Sequence, residues 1–179
     1  ASLKAGGMGT YDLAVPGDYM VEIMAGEGLL DTIADGEVAN KGNIAAEWVD
    51  PSFDPGRKHS IPYQWGSTAF AVDTDAFSGN INTTDILFNP PAELSGKINM
   101  LDSQGEVLAM ASLHMGIPQC STDRAQLSAL NDMLQEAKTH WASFNSDTAK
   151  EVLVSGDVDV GMIYDGFSAK ARAEKASIT

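Results

Sequence analysis

Three junctions in the sequence gather carboxylates and aromatics and leave out cations. After the apolar run "YDLAVP" (Tyr11–Pro16) come Gly17, Asp18 and Tyr19. After "KINML" (Lys97–Leu101) come Asp102, Ser103 and Glu106, and after "DVGMI" come Tyr164, Asp165 and Gly166. The stretch "SIPYQWGSTAFAV" (Ser60–Val72) adds Tyr63, Gln64 and Trp65. Such a set suits an alkylammonium ligand. A carboxylate–ammonium hydrogen bond contributes roughly 1.5–3 kcal/mol, and a desolvated aromatic face adds up to about 2 kcal/mol. Each residue also has a plainer role. Asp18, Asp102 and Asp123 are good helix caps, Tyr19 and Tyr164 suit half-buried packing positions, and Trp65 suits a core. What sets the group apart is one chemistry repeated at successive strand ends, where open α/β sheets bind ligands.

Other chemistries find less support. Cys120 is the single cysteine, so no internal disulfide forms. It follows His114 by six residues, but a Cys–His nucleophilic pair must meet in space, and an inert thiol is the plainer reading. An enzyme using Cys120, or a carboxylate pair centred on Glu106, is therefore the competing hypothesis. His59, His114 and His140 lack metal-ligand spacing. "GGMG" at Gly6–Gly9 lacks the spacing and preceding strand of a nucleotide loop. No metal or cofactor is implied.

Several elements must position these residues. The first residues, with a helix stub at Ala1–Lys4, are broken by glycines. Tyr11–Pro16 reads as a short buried strand ended by Pro-Gly. Asp18 can cap a helix over roughly 19–25, with Met20, Ile23 and Met24 on one face and Gly26 as a stop; a second helical piece is expected around Leu29, Leu30 and Ile33. "DPSFDPGRK" holds two turn signals, and Ser60–Val72 alternates as a strand. "DTDAFSGNINTTD" reads as a polar boundary between lobes. Lys97–Leu101 is a second buried strand, leading into a helix capped by Asp102 or Ser103 and ended by Gly116. "STDRAQLSALNDMLQEAKTHW" is the clearest helix, with a capping box of Asp123 and Gln126 and with Leu127, Leu130, Leu134 and Ala137 at helical spacing. Another helix follows a Ser146/Asp147 cap and ends at Gly156. "DVDVGMIY" alternates as a strand and "FSAKARAEKAS" closes with a helix. Strands alternating with helices make this an α/β chain with a largely parallel sheet.

Composition sets the wider bounds. The 179 residues include 11 basic and 25 acidic side chains, a formal net charge of −14. That field repels phosphate backbones and favours cations, so nucleic acid is excluded as a partner and an amine or a metal ion is favoured. The plainer reading of the acidity is solubility. An apolar fraction of 44% and a mean hydropathy of −0.11 describe a folded globular chain. Apolar runs such as "VLAMASL" fall far short of the roughly 20 residues of a membrane helix, so no membrane insertion is expected.

Four segments, "YDLAVPGDYMVEIM", "DPGRKHSIPYQWGSTAFAVD", "FNSD" and "SGDVDVGMIYDG", resemble in order the bacterial periplasmic binding proteins for spermidine and putrescine. The resemblance implies the type II fold of two α/β lobes joined by crossover strands, closing on a ligand. It implies the extracytoplasmic receptor of an ABC transporter, working in the periplasm with permease subunits and performing no reaction. Residues 1–72 would form a partial first lobe with its hinge strand, and residues 73–179 the second lobe. The chain is expected to be an internal segment of a longer receptor whose export signal is not in this sequence.

Site roles carry over from the resemblance in part. The family's ligand-facing residue after the "VP" turn falls on Tyr19, and its amine-binding Glu falls on Glu106. A second carboxylate found in some members is Ser103 here. The stacking Trp of many members corresponds to Tyr164, with Asp165 beside it. The expected ligand contacts are thus Asp18, Tyr19, Gln64, Trp65, Ser103, Glu106, Tyr164 and Asp165. With fewer carboxylates a long polyamine is less well provided for, which leaves room for γ-aminobutyrate or another short amine, as in some relatives.

Overall fold

The computed structural model describes residues 9–179. The helix stub at Ala1–Lys4 and most of "GGMG" lie outside the described residues. The chain forms two compact units, residues 1–65 and residues 66–179.

In the first unit, Tyr11–Pro16 is not the buried strand that its sequence suggests. It runs unpaired, with Tyr11 60%, Leu13 90% and Val15 78% exposed. A strand needs a neighbour for its N–H and C=O groups, and the described residues of this unit contain no other strand. Helix α1 (Asp18–Gly26) follows, with Gly17 rather than Asp18 at the cap position; Asp18 sits in the first turn, where negative charge is favourable. Its buried residues are Val21 and Met24, whereas Ile23 is exposed. No helix forms around Leu29–Ile33, which is turn and coil; Gly26 and Gly28 interrupt propagation there. Short 3-10 turns at Lys41–Asn43 and Ala46–Trp48 lead into the loop 50–60.

The second unit is an open sheet with helices. Its strands are β1 (Thr68–Val72), β2 (Ile98–Met100), β3 (Trp141–Phe144) and β4 (Val160–Tyr164), in the order β1-β4-β2-β3. The pairs β2–β4 and β2–β3 are parallel, as expected, while β1 runs antiparallel to β4, with Thr68 opposite Tyr164 and Val72 opposite Val160. Of the stretch Ser60–Val72 only Thr68–Val72 is strand, because β4 offers partners only from Val160 to Tyr164. This strand is part of the second unit's sheet. The central strand β4 is buried from Val160 to Ile163, which explains its unbroken apolar sequence.

Helices α2 (Asp85–Phe88), α3 (Gln104–Met115), α4 (Arg124–Ala137), α5 (Ala149–Ser155) and α6 (Asp165–Glu174) complete the unit. Ser103 and Gly116 bound α3; Gly116 takes the left-handed conformation, φ +65°, that ends the helix. Asp123 caps α4 by accepting from the N–H groups of Ala125 and Gln126, but Gln126 does not close the expected capping box: its side chain accepts from Ser121 Oγ instead. The helix expected to run to Trp141 stops at Ala137, and a 3-10 turn delivers the chain into β3. Thr148, not Ser146 or Asp147, occupies the cap of α5. The core gathers Leu87, Ile98, Met100, Leu101, Leu153 and Met162, all essentially inaccessible to solvent.

At the other end of β1, Asp73 accepts from Lys175 Nζ at 2.6 Å and from Ser177 Oγ at 2.7 Å, while Val72 and Thr179 exchange both backbone hydrogen bonds. The last residues thereby extend the sheet edge.

Candidate functional site

The carboxyl ends of β2, β3 and β4 and the start of β1 lie along one edge of the second unit's sheet. Neighbouring strands are about 4.8 Å apart. Ile98 lies in parallel register with Val160 and Asn99 with Gly161. Buried β2 hands over directly to the N-terminus of α3, which carries Ser103 and Glu106. Glu106 is half-buried in the first turn of α3, where the helix N-terminus favours a carboxylate. Ser103 occupies the cap position without using its hydroxyl as a cap. Among the described residues, neither Ser103 nor Glu106 has a side-chain hydrogen bond or ion-pair partner. A half-buried carboxylate left unpaired by the fold is suited to a cation from outside.

Tyr164 ends β4 half-buried against the core cluster. Asp165 beside it is committed to the backbone. Its Oδ2 accepts from the N–H and Oγ of Ser67, both at 3.1 Å, and its Oδ1 accepts from the Gly166 N–H at 2.7 Å. These donors, the Ser67 N–H foremost, hold the Asp165 carboxyl below the usual range despite some desolvation. A Cβ at Gly66 would lie 2.8 Å from Asp165 Oδ1, so a side chain there would push the Asp165 carboxylate from its place. Asp102 N–H donates to Ser146 Oγ at 2.9 Å, which ties the end of β2 to the segment after β3.

The remaining candidates belong to the first unit. Asp18 is exposed and accepts from the Tyr19 N–H at 2.7 Å. Tyr19 is 62% exposed, its ring packed back over Gly17, where a Cβ would stand 3.0 Å from Cε1. Gln64 is exposed. Trp65, which the sequence also allows as core, is 73% exposed and meets the Trp48 ring with centroids 5.8 Å apart. Sequence reasoning missed Trp48, Ser67, Asp54 and Arg57, and named Ser146 only as a helix cap. "DPSFDPGRK" carries Asp54 and Arg57, but it reads locally as turns. Cys120 lies exposed in a loop with φ +59°, and His114 Nδ1 is 2.8 Å from Thr84 Oγ1. Among the described residues no group of His, Cys, Asp and Glu is placed to hold a metal ion, and no helix is long and apolar enough to cross a membrane.

Comparison with known proteins bears on this arrangement. The chain is 34% identical over 173 residues to the spermidine/putrescine-binding periplasmic protein of Escherichia coli, covering 96% of this chain and 49% of that protein. The chain is a homologue of the spermidine/putrescine-binding periplasmic proteins. A putrescine/cadaverine-binding protein of Pseudomonas aeruginosa is 30% identical over 183 residues, covering 98% of this homologue and 51% of the relative. Among solved structures, the spermidine/putrescine ABC transporter substrate-binding protein PotD of Streptococcus pneumoniae superposes with a TM-score of 0.73 at 28% identity, across 99% of this homologue and 54% of that chain. No family model matches. The homologue spans about half the length of the curated relatives it matches. Its fold is that of the periplasmic binding proteins, a mixed α/β architecture with an open sheet. These relatives are named as transport binding proteins, not as enzymes, and none of them is named for γ-aminobutyrate, so that alternative is dropped.

Proposed function

We propose that this chain is part of the extracytoplasmic substrate-binding component of an ABC transporter and that it recognises a small polyamine. The supporting observation is Glu106: a half-buried carboxylate, unpaired among the described residues, in the first turn of the helix that follows a buried parallel strand, in a homologue of spermidine/putrescine-binding proteins. In this reading Glu106 accepts from a ligand ammonium, Ser103 adds a hydroxyl, and Tyr164 flanks the methylene chain. Tyr19, Trp65, Gln64 and Asp18 are further proposed ligand contacts. Asp165 supports the site from behind by holding Ser67. The receptor of which this chain is part closes on its ligand and presents the closed form to permease subunits outside the cytoplasm.

The second carboxylate of some relatives is Ser103 here, so a diamine such as putrescine is better matched than spermidine, whose third ammonium lacks a partner. No reaction is performed, and Cys120 has no role in binding. Isothermal calorimetry of the intact protein with putrescine and spermidine tests this. Saturable heat with putrescine, unchanged in Cys120→Ser, is expected. No heat with either amine, or binding lost with Cys120, contradicts the proposal.

A further inference from the structure

The first unit buries two charges more completely than almost any of its apolar side chains. Asp54 is 3% and Arg57 is 2% exposed. Burying charges stabilises little against their desolvation cost, and the best-attested use of such buried groups is to fix one geometry. Here the geometry is well defined. The Asp54 carboxylate accepts from the N–H groups of Lys58 at 3.1 Å, of His59 at 3.1 Å and of Ser60 at 2.8 Å, and from Ser60 Oγ at 2.7 Å. Desolvation pushes its carboxyl up, but these donors outweigh it and hold the group below the usual range. Arg57 holds a strained left-handed backbone, φ +53°, and points its guanidinium two ways. Nε donates to the Trp48 carbonyl at 2.8 Å and Nη1 donates to Ser60 Oγ at 3.1 Å, with the Phe53 ring 5.3 Å beneath. Lys41 Nζ secures the loop from outside by donating to the Arg57 carbonyl at 3.1 Å.

Arg57 therefore ties together two places in the chain, Trp48 and Ser60. From Ser60 the chain continues through the exposed residues Ile61 to Gln64 to Trp65, whose ring meets that of Trp48 at 5.8 Å and 31°. The two indoles thus meet with Trp48 half-buried and Trp65 exposed. The exposed acids Glu47 and Asp50 flank Trp48 in a chain with net charge −14. Paired indole faces beside carboxylates match a methylene chain ending in an ammonium group.

We propose that Arg57, with Asp54 and Ser60 behind it, is a positioning residue that sets Trp48 against Trp65, and that this indole pair is a contact face for the alkylammonium ligand. The ligand half rests on the polyamine reading above. The positioning half does not.

Two readouts on the intact protein separate the halves: the exciton band of the tryptophan pair in circular dichroism, and putrescine affinity by calorimetry. Arg57→Met is expected to lose the exciton band and bind putrescine about tenfold more weakly; Arg57→Lys, which keeps the charge but not the two-way fork, should fall between. Trp48→Leu, which leaves the Asp54 network in place, should lose the band and weaken binding about equally. A folded Arg57→Met that keeps the band, or a Trp48→Leu that binds within about twofold of wild type, overturns the corresponding half. If Arg57→Met fails to fold, Arg57→Lys and Trp48→Leu carry the test. A wild type that binds no amine removes the polyamine reading and the ligand half together, while the exciton band still decides the positioning half.

Discussion

At Glu106 the fold leaves a half-buried carboxylate unpaired in the first turn of α3. Its removal should cost binding and not stability. Glu106→Gln is expected to weaken putrescine affinity about 10- to 100-fold, the equivalent of a charged hydrogen bond, with an unfolding midpoint no lower than wild type; calorimetry beside thermal unfolding checks both. Asp73 is the opposite case. Burial pushes its carboxyl up, but the hydrogen bonds from Lys175, Ser177 and the Asp75 N–H, together with the Lys175 charge, hold it below the usual range. A depressed folded-state pKa means stability that is fully present above the unfolded value, about 3.9, and lost as pH falls through the folded value. Asp73→Asn should therefore cost about 2 kcal/mol near neutral pH and flatten the acid limb of stability below about pH 5. Urea unfolding across pH 3–7 reads this, and a variant with the wild-type acid limb would show that the Lys175 bridge contributes nothing.

Among the elements, those with local punctuation were legible and those that depend on distant partners were not. α4 begins where Asp123 predicts, and Asp123→Ala should lower stability by about 1 kcal/mol in urea unfolding, since two N–H groups lose their acceptor. Gly116 likewise marks the end of α3. Tyr11–Pro16 has the composition of a buried strand but no partner among the described residues of its unit, and it stays exposed. The strand β3 was hidden because "HWASF" continues a helical pattern, and only pairing with β2 and the Trp141 Nε1 bond to the Leu87 carbonyl draw it into the sheet. The candidate site was legible by the same logic. Ser103, Glu106 and Tyr164 could be named because they follow recognisable buried strands. Asp165 could be named, but not its engagement with Ser67, which is 98 residues away. Trp48 and Arg57 could not, because nothing local marks a loop closed by buried charges.

For the molecule as a whole, the two units differ in what they bury. Among the described residues, the second holds nearly all the buried apolar side chains, whereas the first offers Val21 and Met24 alongside Asp54 and Arg57. Local stability follows buried apolar contacts, so amides of residues 9–65 should exchange with deuterium faster than those of β2, β4 and α5 when followed by mass spectrometry. Equal protection in both units would contradict that ranking. The proposed role of Glu106 is best tested by a crystal structure of the intact protein with putrescine. A ligand nitrogen within about 3 Å of the Glu106 carboxylate, with Tyr164 along the methylene chain, is the predicted result; an amine bound elsewhere, with Glu106 turned to solvent, would contradict the account.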